Sequence, residues 1–223
     1  TTIRVRDMKK LQLTPPLLII TMGYPGAGKT YFSRQFSELY NIPRLSEEVY
    51  RFELFEQPLF NKDESQIIER VLHYSLVQLM KSEQTIICDG DFLTLKQRKA
   101  MYELAASNGY RTLTIWLQTD ADTSATRAGT RDKRSLDNKF SFAIDRSTFT
   151  RIADRLDRPV EKEQTVVISG KHAFRSQCLT VLRKITSMYS ESLVNGETGV
   201  VNPLADPRRP VVKPKLSSRR FIQ

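Results

Sequence analysis

The chain has 223 residues, 39% hydrophobic and 27% charged, with a formal net charge of +10 and two cysteines. That length suits one domain with a proper core, or one domain plus a tail; the composition is that of a soluble globular protein, and two cysteines are too few for a disulfide framework. No apolar run reaches the length of a membrane span, no apolar signal core follows the basic start TTIRVRDMKK, and Cys88 and Cys178 suit a reducing, cytoplasmic setting.

In chain order, Leu17–Met22 reads as a buried strand bounded by Pro15-Pro16, and Lys29–Tyr40 as a helix with Phe32, Phe36 and Leu39/Tyr40 on one face. A short strand follows at 42–46. Ser46 caps a helix starting at Glu47, with Glu47 and Glu48 in the first turn where the helix dipole favours them. Pro58 and Asn61 mark a loop, and residues 64–82 form an amphipathic helix carrying Ile68, Leu72, Leu76 and Leu79. QTIICDG is a second buried strand stopped by Gly90. A helix from Thr94 ends at Asn108-Gly109, YRTLTIWL is a third clear strand, and a short helix covers Asp120–Ala128. Residues 129–143 are basic with little periodicity and read as a mobile loop. A helix around Asp145–Leu156, the strand QTVVIS and a helix over Ala173–Tyr189 complete the pattern. Strands alternating with helices predict a mostly parallel sheet covered on both faces, with ligands outside the carboxyl ends of the strands.

The positive charge is uneven. Residues 1–10 carry +3, 11–126 carry −3, 127–158 carry +4, 159–202 carry +1 and 203–223 carry +5. The excess sits in both tails and one internal segment, where it suits either a polyanionic partner or simple solubility.

GYPGAGKT, Gly23 to Thr30, fits G-x-x-x-x-G-K-(S/T), with the strand before and helix after that this phosphate-binding loop requires. Glycines let backbone N–H groups converge on phosphate oxygens, and the helix N-terminus adds positive potential. The nucleotide-contacting set is then Gly23, Tyr24, Pro25, Gly26, Ala27, Gly28, Lys29, Thr30 and Tyr31. Lys29 reaches the β- and γ-phosphates, and the Thr30 hydroxyl is a Mg2+ ligand.

Three further places bear on what happens to the phosphate. In LSEEVYRFEL, Glu48 and Arg51 lie three apart on one helical face; they suit a base with an acceptor-binding arginine, and equally a capped helix start with a local ion pair. In TIICDGDF, Asp89 ends an apolar strand, a position for an acid that holds Mg2+ through water, or for an acid that merely ends the strand; Asp91 is a backup or a substrate contact. In RAGTRDKR, Arg127, Arg131 and Arg134 enter the basic segment, either to close on phosphoryl charge or as a solvated loop. Cys88 suits a core position better than a nucleophile.

Together these pieces resemble the P-loop kinases grouped with polynucleotide kinase, the zeta toxins and gluconate kinase-like enzymes, from about Leu17 to about Ile185. SEEVYR is similar to that family's S-x-D-x-x-R element, with Arg51 matching the arginine and Glu48 standing at the aspartate; Glu47 is the competing carboxylate. Asp89 and Arg98 resemble the family's strand-terminal acid and its arginine on the next helix, and Arg127 and Arg131 its lid arginines, Arg127 also contacting nucleotide. The resemblance implies an α/β P-loop NTPase three-layer sandwich with a five-stranded parallel sheet in order 2-3-1-4-5, a helical lid, and ATP with Mg2+ phosphorylating a hydroxyl. Lys29, Glu48, Arg51, Arg127 and Arg131 are then catalytic, and Glu47, Glu48, Arg51, Asp91 and Arg98 substrate-binding. Residues 1–14 are expected to be a basic extension, 15–192 the kinase domain with a lid at about 127–158, and 193–223 an extended or disordered tail. The acceptor stays open between a polynucleotide 5′-hydroxyl and a small metabolite. A nucleotide-binding regulator without transfer, and a toxin-like kinase of nucleotide sugars, are the alternative readings.

Overall fold

The computed structural model describes residues 11–59, 61–131, 140 and 142–194. The expectations for the tail beyond these, and for Arg134, lie outside the described residues.

Five strands, β1 (Leu17–Met22), β2 (Arg44–Ser46), β3 (Ile86–Asp89), β4 (Arg111–Gln118) and β5 (Thr165–Ser169), pair in parallel in the order β2-β3-β1-β4-β5. The connections are α1 (Lys29–Tyr40), α2 (Glu47–Leu54) and α3 (Lys62–Met80), α4 (Leu95–Ser107), and α5 (Ala121–Gly129) with α6 (Arg146–Ala153); α7 (Phe174–Val194) follows the last strand. This is the α/β arrangement expected from the alternation of elements.

β1 is apolar at nearly every position because it is central and covered on both faces. Leu17 and Ile19 join a cluster with Phe32 and Phe36 of α1 and Val181 and Ile185 of α7. Leu18 and Ile20, pointing the other way, meet Leu76 and Met80 of α3 and Met101 and Ala105 of α4. All four β1 side chains are fully buried, each contributing about 1.5–3 kcal/mol of transfer free energy. Leu11 and Leu13, before Pro15, are buried in the first cluster too. Cys88 is a core residue, its thiol pushed up to about 12 by burial.

Helix starts follow their caps. Ser46, Thr94, Asp120 and Asp145 each accept from an amide in the first turn. α3 begins at Lys62, two residues before the predicted start, because the Asn61 side chain accepts from Glu64 N at 2.9 Å. α7 runs to Val194, beyond the Tyr189 predicted from its apolar spacing. Among the described residues no helix is long and apolar enough to cross a membrane.

α5 and α6 form the described part of the lid. Ala125, Ala128, Ile144 and Phe149 make a small core of their own, against which Tyr24 packs. At its far end Asp157 ties the lid down: its N–H donates to Leu93 O at 3.0 Å and its carboxylate accepts from Leu95 N at 2.8 Å.

Candidate active site

The carboxyl ends of the parallel strands share one edge of the sheet, and there they open into a cavity of about 990 Å³. Pro25, Gly26, Gly28, Lys29, Thr30 and Tyr31 line one wall, and Glu47, Glu48 and Arg51 of α2 another. Asp89 and Asp91, and lid residues Arg127 and Arg131, also line it.

The loop after β1 has this shape for two local reasons. Gly28 is the N-cap of α1 at φ 103° with no side chain capping the helix, so the first-turn amides of Lys29, Thr30 and Tyr31 lack an intrahelical acceptor. Gly26 has φ 79°, and a Cβ there would collide with the Ser124 carbonyl of α5. Unfilled amides at a helix N-terminus fit an anionic phosphate chain. Gly23, Tyr24 and Ala27 stand behind the loop: Ala27 is fully buried, and Tyr24 meets Phe149 edge-on with ring centroids 5.8 Å apart. Lys29 curls over its own loop, donating to Gly23 O at 3.0 Å and Tyr24 O at 3.1 Å, with Asp91 at 3.3 Å.

Across the cavity the two glutamates have different partners. Glu47 accepts from Arg51 at 3.2 Å, one turn along α2. Burial, reinforced by the Asp91 charge and opposed by Arg51, raises its carboxyl to about 7. Glu48 accepts from Arg131 of the lid at 3.1 Å. Its carboxyl is raised chiefly by burial, with Arg131 and Lys29 working against the rise and Asp89 and Asp91 adding to it. Glu48 therefore feels the loop lysine, and Glu47 is held by its own helix.

Arg51 reaches the cavity wall but is largely buried, donating to Glu64 at 3.2 Å and to Ser65 at 3.3 Å as well as to Glu47. Asp89 is buried at the end of β3, accepting from Thr21 Oγ1 at 3.2 Å and paired with Arg44 at 2.7 Å. Arg44 also donates to Ser33 Oγ, and Ser33 donates to the Thr30 carbonyl, so a polar chain joins the strand acid to the phosphate helix. The hydroxyl of Thr30 and the carboxylate of Asp89 are oxygen donors on the cavity wall, the donor type Mg2+ takes. Among the described residues no three His, Cys, Asp or Glu side chains are grouped to hold a metal; the set fits an ion carried in on a nucleotide.

Arg98 departs from expectation. It is fully buried and does not line the cavity. Its guanidinium grips both Glu163 oxygens, at 2.6 and 3.1 Å, and donates to the Phe92 and Leu93 carbonyls. Burial opposes ionisation of Glu163, yet bonds from Arg98 and Tyr102 hold its carboxyl below the usual range. Arg98 thus fastens the segment after the lid to the β3–α4 loop, because an arginine with a carboxylate in bidentate reach is satisfied without a ligand. Arg44 has no role in the sequence reading, where it falls only within the short strand expected at 42–46. Arg151 and Arg155, which also line the cavity, read there only as part of an exposed helix.

A family model described as an AAA domain matches residues 18–159. No curated protein matches. Among solved structures, a provisionally assigned kinase from Chloroflexus aurantiacus j-10-fl is similar with a TM-score of 0.62 and 16% identity, over 76% of this chain and 98% of that one. A gluconokinase from Sinorhizobium meliloti 1021 has a TM-score of 0.58 and 13% identity, over 81% of this chain and 98% of its own. Kti12 from Chaetomium thermophilum, in complex with ADP-AlF3, has a TM-score of 0.58 and 16% identity, over 76% and 97% respectively. At these identities the likeness concerns the fold.

Proposed function

The chain belongs to the AAA domain family and has the fold of P-loop kinases, and from that premise we propose that it is a nucleotide-dependent kinase moving the terminal phosphoryl group of Mg·ATP to a hydroxyl of an acceptor. The observation that carries this reading is the opposition of two walls in one cavity. The uncapped N-terminus of α1 with Lys29 makes one wall, and the α2 carboxylates, one of them tied to a lid arginine, make the other. A nucleotide-binding protein needs the first wall; placing a carboxylate opposite it suits transfer to a second molecule.

When bound, magnesium nucleotide supplies the phosphoryl group and the divalent charge that shields it. The amides of Gly26 and of Gly28 to Tyr31, with the Lys29 ammonium, hold the phosphate chain, the Ala27 amide being taken by the Tyr24 carbonyl. Thr30 and Asp89, the latter already engaged by Thr21 and Arg44, would hold the ion, which would offset phosphate charge. Glu48 orients the acceptor hydroxyl and takes its proton. A carboxyl raised by burial is a stronger base than a solvated one, and its coupling to Lys29 sets it towards the phosphate end in preference to Glu47. Arg131 moves with the lid, so closure that brings it onto transferred charge also frees Glu48 from its ion pair. Arg127 steadies the nucleotide side from its bond to Gly170 O at 3.2 Å. Arg51, clamped between Glu47, Glu64 and Ser65, braces the acceptor wall. The two free, buried cysteines suit a cytoplasmic setting.

The test is incubation with γ-labelled ATP and fractionated cell extract, followed by identification of the labelled molecule. Label on an acceptor with the native chain, absent with Lys29→Ala, supports a kinase. Release of free phosphate at full rate whatever is added would make the protein an ATPase. One observation favours a regulator that binds nucleotide without transfer: both oxygens of Asp89 already have protein partners. Tight nucleotide binding with no labelled acceptor from any fraction would select that reading.

A further inference from the structure

We infer that the acceptor carries its own phosphate group, or a comparable dianion, held by Arg151 and Arg155 together with Lys62. This rests on the kinase reading and adds the chemical class of the second substrate.

The argument is one of charge inside the cavity. Each acid that lines it has a basic partner: Glu47 has Arg51, Glu48 has Arg131, Asp89 has Arg44 and Asp91 has Lys29. Four further bases line the same cavity, namely Lys62, Arg127, Arg151 and Arg155, and among the described residues none of them has an ion pair. A magnesium triphosphate brings roughly two net negative charges. Arg51 is shared between Glu47 and the buried Glu64, which offsets one of the four, so about one positive charge stays unmatched, of the sign a phosphate monoester, at −1.5 to −2, neutralises.

The location of the surplus separates its two halves. In the sheet, the loop after β1 has β4 and β5 on one side and β3 and β2 on the other. Arg127 follows β4 and bonds to Gly170 beyond β5, so it stands on the first side, by the back of the phosphate loop. Lys62 opens α3, which follows β2 and α2 on the second side. Its neighbour Ser65 accepts from Arg51, placing this helix start against the α2 wall. The segment carrying Arg155 is tied to the same side by the bonds of Asp157 to Leu93 and Leu95. Arg151 lies four residues earlier, in the last turn of α6, and is exposed with Arg155. Three unpaired cations therefore lie towards the half of the cavity that holds Glu48, where the proposed acceptor belongs, and the planar fork of a guanidinium there suits two oxygens of a phosphate. Sugar phosphates and nucleotides offer the same group, and the arms of the test tell them apart.

The experiment uses the full chain saturated with Mg2+ and the non-transferable analogue AMPPNP, so that the nucleotide site is filled. Inorganic phosphate, glucose 6-phosphate and adenosine 3′-monophosphate are then titrated calorimetrically, alongside glucose and adenosine. The inference expects inorganic phosphate to bind the saturated protein, and expects one phosphorylated compound to bind at least about tenfold more tightly than its unphosphorylated form. Which compound does so distinguishes a sugar from a nucleoside acceptor. Arg151→Gln and Arg155→Gln should each weaken that binding by about tenfold, with AMPPNP affinity within about twofold of the native value. Arg151→Lys, which keeps the charge, should restore most of it. Both arginines are exposed, so the variants are expected to fold, and unchanged AMPPNP binding verifies it. If the saturated protein binds no phosphate, or if phosphate binding survives both glutamine variants, the inference is overturned while the kinase reading stands. If AMPPNP itself fails to bind, the kinase reading is what falls.

Discussion

The two walls of the cavity are built in opposite ways. The wall proposed to hold phosphate is one stretch of eight residues, Gly23 to Thr30, running from the end of β1 into α1 and shaped by glycine conformations and a helix start. The wall proposed for the acceptor draws Glu47 and Glu48 from α2, Lys62 from the start of α3, Asp91 from the β3–α4 loop, and Arg131, Arg151 and Arg155 from the lid. The first takes its conformation from local backbone geometry, and distant segments meet it only as backing, the Ser124 carbonyl against Gly26 and Gly170 against Ala27. The second depends on packing and ion pairs between segments far apart in the chain, so single distant substitutions should disturb it. A common binding chemistry can live in the local wall while selectivity resides in the assembled one.

The largest expected effect tests the local wall. Lys29→Ala removes the charge aimed at the phosphates and should lower phosphoryl transfer by on the order of 10³-fold or more, measured by single-turnover labelling; circular dichroism should be unchanged, since Lys29 bonds only to its own loop and Asp91. Glu48→Gln tests the other wall. Turnover should fall by about 10²-fold with nucleotide affinity nearly unchanged, and native activity should drop as pH falls through the raised value of that carboxyl. Equal turnover in Glu48→Gln would pass the role to Glu47.

Arg98→Ala separates the walls by stability. It strands Glu163 in the interior and should cost about 3–5 kcal/mol, read by urea unfolding; nucleotide affinity of the folded variant should be nearly unchanged, because neither residue lines the cavity. A smaller effect is expected from Glu47→Gln. Its carboxyl is raised to about 7 in the folded chain, above an unfolded value near 4.5, so the native protein holds the proton more tightly than the unfolded one. The stabilising contribution of that proton is complete below about pH 4.5 and is lost as pH rises through about 7. The variant should therefore melt above the native protein at pH 8 and level with it near pH 4; the reverse order would mean the Arg51 pair outweighs burial. The smallest is Asp91→Asn, which frees Lys29 from a half-exposed partner. A modest gain in nucleotide affinity is expected by equilibrium titration, and a loss would assign Asp91 to the metal or the acceptor.

The strands and helices were legible because their signals are short-range. The apolar run of β1, the phenylalanines of α1 and the side-chain caps Ser46, Thr94, Asp120 and Asp145 act within a turn or two of chain. Arg98 shows where such reading stops. An arginine on a helix after a strand-terminal acid carries no mark that Glu163, 65 residues on, will close over it. Arg44 is hidden in the same way, since only the register that sets Ser46 beside Asp89 brings its side chain to that acid.

The phosphate loop, the alternation of elements and the glutamate pair were thus determined by the sequence itself, because hydrogen bonding, backbone freedom and side-chain periodicity act between near neighbours. Tertiary structure alone decided that Arg98 is a fastening, that Arg44 occupies Asp89, and that Arg151 and Arg155 face the cavity unpaired. Ion pairing falls off with separation in space and is blind to separation along the chain, so it takes partners only once the sheet and lid have brought them together.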